Sequence, residues 1–563
     1  MRRTIFIGII IFGVFSVSDC FGNGGLYGAL SDRVRENLRD RIEAAGTPPE
    51  IEVTEELIYA SVMLPGFYER RSYFPAWSDD NGPLPAVDSL VEVLNRADRE
   101  GLRSSDYHLK KITEIIEDIR SGRRLSPVSL PRYLADLDLL LTDTFMTYGS
   151  HLLKGRVNPQ TIDPEWFANI REIDLAITLD SALAGNRIGE ALKALLPPQA
   201  GYYSMRRALA GYRMLAVAGG WENIPDGPKM QLGDRGERIN RLRHRLAASG
   251  DLKDSNRGDG DLFDESLKEA VIQFQRRNGL EPDGVVGKET LVTLNIPVEK
   301  RIEQIILNME RWRWLPQDLG RRHIIINIAN YELDVYESDS VVLPMRVIVG
   351  KDYRRTPVFS DKITYMVVNP YWNVPFNIAV SDILPMVKKD PEYLTQQNMK
   401  LFQGHGSDRQ EIDYRRVDWS GIDKHNFDYW IRQEPGPMNA LGRIKFMFPN
   451  KFNVYLHDTP ARELFSKTIW SFSSGCIRIE KPMELAEYLL RGDLQWNREK
   501  LLAAIDMKVE KTIRVPEPVP IHLLYWTAWA SPDGTINFRK DIYNRDAVLE
   551  EALTEHPPEA DQG

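Results

Sequence analysis

From Leu30 to about Ala218 the apolar positions recur at helical spacing, as in Leu90-Val91-Glu92-Val93-Leu94 and in Leu134 to Leu141. Clusters at Pro83-Leu84-Pro85, Pro127 to Pro131 and Pro197-Pro198 punctuate the pattern. It predicts a helical domain over residues 30–220 with no metal-ligand spacing, in which His151, Lys154 and Arg156 mark a surface helix end.

Residues 228–297 form a second, compact pattern. Gly233-Asp234-Arg235-Gly236 precedes Ile239, Leu242 and Leu246, a stripe at i, i+3 and i+7. Asp264 is placed to cap a second helix carrying Leu267, Ala270, Val271 and Phe274, and Gly279 to end it. Asp283-Gly284-Val285-Val286-Gly287 supplies a turn before Thr290, Leu291 and Leu294. The acidic stretch Asp254 to Asp264 is out of register with a calcium-binding loop and reads as a solvated loop.

After Ile302 the period changes to that of strands, at Ile324 to Ile328, Leu333 to Tyr336, Val341 to Val349, Met366 to Asn369 and Phe452 to His457. Between the last two lies a long insertion, about residues 370–438, rich in aromatics and proline. An excursion of that length predicts a loop-rich lid or a substrate-clasping subdomain, with extra core packing as the alternative. His522 to Trp529, a turn at Pro532-Asp533-Gly534 and Ile536 to Tyr543 predict a hairpin. The expected fold class is multidomain α+β: the two helical units, then a mostly β domain over 303–546, then a disordered tail at 555–563.

Composition narrows the functional classes. The 563 residues carry 72 Lys+Arg against 81 Asp+Glu, a formal charge of −9, with no long basic stripe, so nucleic acid is not an expected partner. Met1-Arg2-Arg3 followed by an apolar run from Ile5 to Val17 has the form of a secretory leader, with Ser16 and Ser18 at −3 and −1 for cleavage after Ser18. An uncleaved anchor formed by residues 4–18 is the alternative, and Asp19 argues against a lipoprotein signal at Cys20. An exported protein, periplasmic or held at the inner membrane by that segment alone, is expected.

Two cysteines, Cys20 and Cys476, exclude a disulfide framework and cysteine-based metal sites, and no metal or cofactor is expected. Cys476 is the one cysteine deep in a folded domain. It follows Gly475, whose freedom would let backbone N–H groups of Gly475 and Cys476 turn toward a carbonyl as an oxyanion hole. A thiol attacks only as thiolate, so it needs a base, and His457, separated from Ser473 by fifteen residues, is the candidate. On a regular strand Tyr455 and His457 share a face, as do Cys476 and Arg478.

His457, then Ser473-Ser474-Gly475-Cys476-Ile477-Arg478, resembles the signature of the YkuD-type L,D-transpeptidases, although Ser474 stands where most members carry His. Residues 228–297 resemble the three-helix peptidoglycan-binding module, and the whole chain is similar to the large Gram-negative subgroup of the transpeptidase family. The resemblance implies a peptidoglycan tetrapeptide stem as donor, a Cys476 thioester with His457 moving the proton, and 3→3 cross-links. It also implies glycan strands as partners and carbapenems as covalent inhibitors. A carboxypeptidase, an enzyme attaching lipoproteins to the wall, and a non-catalytic wall-binding scaffold are the alternatives. Arg478 would hold a stem carboxylate or brace the cysteine loop, and Ser474, Tyr455, Trp372, Asn439 and Gly442 would line the substrate site. A backbone carbonyl is expected to orient the imidazole, and Asp458 is not read as a triad acid.

Overall fold

The computed structural model describes residues 29–122, 126–167, 171–253, 260–404, 406–466 and 471–555. The leader, residues 254–259 of the acidic stretch and all but the first residue of the tail lie outside them. Among the described residues no helix is long and apolar enough to cross a membrane.

The first unit is helical around Leu130–Lys154, a 25-residue helix buried along almost its whole length. Leu30–Glu43, Pro85–Leu94, Leu109–Ser121 and Ala200–Val217 are among the helices around it. His151 is not at the surface. It is 3% exposed, with Nδ1 bonded to the Tyr107 hydroxyl at 2.9 Å, and Arg156 is also buried. The helix end is covered because Val298–Arg313 packs there: Glu310 on that helix accepts the backbone N–H groups of Arg156 and Val157 at 2.5 and 3.0 Å.

The second unit has helices at Glu237–Ala248, Glu265–Arg277 and Lys288–Leu294 around its own apolar core. Asp264 caps the middle one, accepting from the Leu267 N–H at 2.9 Å, and Gly279 ends it at φ +67°. Arg539 of the C-terminal hairpin donates to the Arg277 carbonyl at 3.0 Å, tying this unit to the β domain.

The β domain comprises β1 (Arg322–Asn327), β2 (Glu332–Glu337), β3 (Ser340–Gly350), β4 (Phe359–Val368), β5 (Ile444–Met447), β6 (Leu456–His457), β7 (Ser471–Ser473), β8 (Ile477–Ile479) and β9 (Lys511–Leu524). Their order is β7-β3-β8-β6-β5-β4-β9-β1-β2, and β2 also pairs with β3, so the sheet closes around its core. Strand β3 permits this because its first half pairs with β2 and its end with β8 and β7.

Three expectations need correction. Only Leu456–His457 of the Phe452–His457 segment is strand. Asn450 captures the preceding turn, its Oδ1 accepting from Phe452 and Val454 N–H at 3.0 and 3.2 Å, and Asn453 sits at φ +54°. His522 belongs to β9, whose Pro516, Pro518 and Pro520 hid a 14-residue strand. Pro516 and Pro518 fall where the register with β4 shifts, between Arg514 and Val519, and a missing N–H costs no ladder bond there. The hairpin strands are Ala528–Ala530 and Ile536–Phe538.

The insertion is a folded subdomain rather than a loop-rich excursion. Strands Trp372–Asn373, Met399–Gln403, Gln410–Ile412 and Trp430–Gln433 make a four-stranded antiparallel sheet. Its aromatics Tyr414, Trp419 and Phe427 are spent on a separate core with Leu384, Val387 and Ile431.

Candidate active site

The register of three strands builds the site. Lys445 on β5 stands opposite His457 on β6, and His457 stands beside Arg478 on the parallel strand β8. The same register carries Tyr455 level with Cys476, and Ile477 N–H donates to the Tyr455 carbonyl at 3.2 Å. Side chains alternate along a strand, so Lys445, Tyr455, His457, Cys476 and Arg478 share one face while Ile444, Phe446, Leu456 and Ile477 fill the core. That face floors a cavity of about 1050 Å³ walled by the insertion, including Trp372.

The imidazole is fixed at one nitrogen. A carbonyl only accepts, so the 2.5 Å contact of His457 Nδ1 with the Asp458 backbone oxygen places the proton on Nδ1 and leaves Nε2 as the basic atom. Burial, then the Arg478 charge, pulls the His457 pKa down to about 3, so the ring is neutral at physiological pH. The Asp458 carboxylate is engaged elsewhere, accepting from Arg443 and Thr459 N–H and from the Arg462 guanidinium.

Cys476 is a free thiol, its Sγ 3.8 Å from the Asn453 carbonyl. Burial raises its pKa, against the Tyr455 N–H and hydroxyl and the charges of Lys445 and Arg478, which all favour thiolate. The resting pair is therefore thiol and neutral imidazole. The Arg478 guanidinium has no hydrogen bond or ion pair among the described residues, and its Nε is buried without a partner.

Gly475 sits at φ +109°, a conformation that disfavours a side chain. Its carbonyl accepts from Thr356 Oγ1 at 2.9 Å, and Thr356 Oγ1 accepts in turn from the Gly350 N–H at 3.0 Å. The Gly475 N–H donates to Ser473 Oγ at 3.2 Å. The Cys476 N–H has no partner among the described residues.

The other expected contacts separate. Ser474 Oγ accepts from Arg354 Nη1 at 2.8 Å, and the same guanidinium nitrogen donates to Asp382 of the insertion at 2.8 Å. Asn439 and Gly442 do not line this cavity. Asn439 is 1% exposed and its amide donates to the Pro370 and Glu434 carbonyls, closing the base of the insertion. Gly442, at φ +63°, leaves room for the Asp458 carboxylate, which a Cβ there would strike. Sequence reasoning missed Lys445, Arg354 and Asp382. The one signal for Lys445 was a lone cation between Ile444 and Phe446 on a strand, which reads equally well as facing solvent. Among the described residues no group of three His, Cys, Asp or Glu side chains could hold a metal ion.

Comparison with known proteins follows the same division of the chain. Residues 321–509 match the family model described as "L,D-transpeptidase catalytic domain" (YkuD), 63–209 the "Scaffold domain", and 235–294 the "Putative peptidoglycan binding domain". A Haemophilus influenzae protein named "Putative L,D-transpeptidase" is 36% identical over 257 residues, 45% of this chain and 51% of that protein. The chain thus spans about half the length of the curated relative it matches. A crystal structure of an L,D-transpeptidase from Xylanimonas cellulosilytica is 14% identical, covers 53% of this chain and 99% of its own, and has a TM-score of 0.17. A score that low carries no argument about this fold.

Proposed function

We propose that this chain, which carries a YkuD-type L,D-transpeptidase catalytic domain after a scaffold domain and a peptidoglycan-binding domain, forms 3→3 peptidoglycan cross-links through a Cys476 thioester. The observation that carries the reading is the Nδ1-anchored, neutral His457 on the same face as the free Cys476 thiol, in a cavity large enough for a peptide.

The donor is a tetrapeptide stem ending in D-Ala. As Cys476 Sγ bonds to the carbonyl carbon before D-Ala, its proton passes to His457 Nε2. The Cys476 N–H stabilises the oxyanion. When the C–N bond breaks, the imidazolium returns that proton to the departing D-Ala amine. A side-chain amine of a second stem then attacks the thioester carbonyl, forming the new amide, releasing its proton through His457 and restoring the thiol. One amide replaces another, so no nucleotide is consumed. Arg478, a cation in the cavity without a partner among the described residues, holds a stem carboxylate. Tyr455 and Trp372 line the peptide path, and Ser474 acts through Arg354.

The folded insertion favours a bulky second stem over water as acceptor, because a hydrolase needs no subdomain to seat its nucleophile. Glycan strands are the partner of the three-helix unit, and the reaction takes place outside the cytoplasm, in the periplasm. Mass spectrometry of muropeptides after incubation with purified protein is the test. Tetrapeptide dimers are expected, and their absence in Cys476→Ala. Loss of D-Ala without dimers means a carboxypeptidase, transfer only to a lipoprotein lysine means an attachment enzyme, and no change means a wall-binding scaffold. Carbapenem adducts are expected at Cys476, and an adduct persisting in Cys476→Ala would overturn the nucleophile.

A further inference from the structure

Lys445 has no role in the reaction as described, yet it projects into the site. Its strand neighbours Ile444 and Phe446 are buried in the core at 1% and 0% exposure, so Lys445 turns to the cavity face. Its ammonium lies 3.7 Å from the centroid of the Tyr455 ring, and that ring packs edge-on to His457 at 5.8 Å. Among the described residues the Lys445 ammonium makes no hydrogen bond or ion pair. The Arg478 guanidinium, on the other side of His457 in the same row, is likewise without an ion pair among the described residues. A half-buried cation without a direct ion-pair partner is costly, and two of them bracket one neutral imidazole.

We infer that Lys445 is an electrostatic positioning residue for the Cys476–His457 pair, its charge favouring the thiolate and disfavouring the protonated imidazole. This rests on Cys476 as nucleophile and His457 as its base. The two effects serve different steps. As His457 takes the thiol proton, the negative charge that develops on sulfur is stabilised by a cation held nearby by the Tyr455 ring. Once His457 carries the proton, the same cation makes it a stronger acid, ready to protonate the departing amine. The charged or titratable groups facing this pair are Tyr455 just before β6, Arg478 from β8, Glu463 near Arg478, Glu510 near Lys445, Lys351 and Arg354 after β3, and Asp382 from the insertion. Burial lowers the Lys445 pKa from its ordinary value, against the pull of Cys476 and Glu510.

The test uses full-length Lys445→Met and Lys445→Arg. The pH dependence of iodoacetamide modification is followed on the peptide containing Cys476, and the His457 ring is titrated by NMR. Losing a cation raises both pKa values, whereas a loosened site relaxes each toward its ordinary value, the thiol falling while the imidazole rises. Lys445→Met is expected to raise the thiol pKa by about one unit, so that thiolate at pH 7 falls about tenfold. A more basic thiolate is more nucleophilic, so the alkylation rate falls only about threefold. Lys445→Arg is expected to restore both titrations. Unchanged values, or opposite movements, overturn the inference. If Lys445→Met does not fold, Lys445→Gln takes its place with the same criteria. Should Cys476→Ala still cross-link, the reading of the site itself fails. Should Cys476 be required while the titrations stay put, only the role of Lys445 fails.

Discussion

His457 donates its Nδ1 proton to the main-chain carbonyl of the adjacent residue, Asp458, at 2.5 Å, while the Asp458 carboxylate points away to hold Arg443, Thr459 and Arg462. The tautomer that a triad acid would impose is here imposed by the backbone of the strand end.

Asp458→Asn is therefore expected to keep kcat within about tenfold, where removing a triad acid costs about 10⁴. Its cost is in stability, about 1–3 kcal/mol, because three donors lose a charged acceptor. Steady-state kinetics with urea unfolding checks both. A loss near 10⁴ with unchanged stability would make Asp458 a triad member.

The depressed His457 pKa, about 3, sets the acid limb of the reaction. The base stays neutral well below the ordinary histidine value, so kcat/KM is expected to hold its neutral level down to about pH 5. A profile falling with a midpoint near 6.5 would place the imidazole in water.

Stability carries the same sign elsewhere in the domain. Burial pulls His522 down to about 4 in the folded protein, so as pH falls below about 6.5 the unfolded chain takes up the proton first. Its stability contribution is complete above that value and drains away toward pH 4. His522→Gln is expected to lose less stability than the parent between pH 7 and 4, by up to about 3 kcal/mol. Urea midpoints across that range measure it, and identical slopes would refute it.

Gly475 has no atom closer than 3.5 Å to an added Cβ, so space is not the obstacle to alanine. Its φ of +109° is, and Gly475→Ala should cost about 1–2 kcal/mol of strain or else turn the loop. Since the turn aims Cys476, a larger fall in acylation rate than in melting temperature is expected, read by carbapenem adduct formation.

Arg354 joins the insertion to the nucleophile loop through Asp382 and Ser474. Asp382→Asn is expected to raise KM several-fold with the melting temperature nearly unchanged, since the ion pair is partly exposed and worth at most about 1 kcal/mol. An unaltered KM would mean that this contact does not set the insertion over the site.

The sequence by itself determined what local chemistry can encode. Helical and strand periods marked the succession of units, Asp264 and Gly279 marked a helix's ends, and the scarcity of cysteine beside Gly475 singled out Cys476. Alternation along two short strands also put Tyr455, His457, Cys476 and Arg478 on common faces. The tertiary structure decided what depends on partners distant in the chain. Lys445 faces the cavity because β5 pairs with β6, and nothing near residue 445 specifies that pairing. The Asn439 amide is engaged by carbonyls at the insertion's base, and the Gly475 N–H by Ser473 Oγ. The prolines of β9 hid a strand whose register shift receives two of them, and the aromatics of the insertion became a core once its four strands met. Periodicity reports which face a side chain takes; only the completed sheet reports what that face meets.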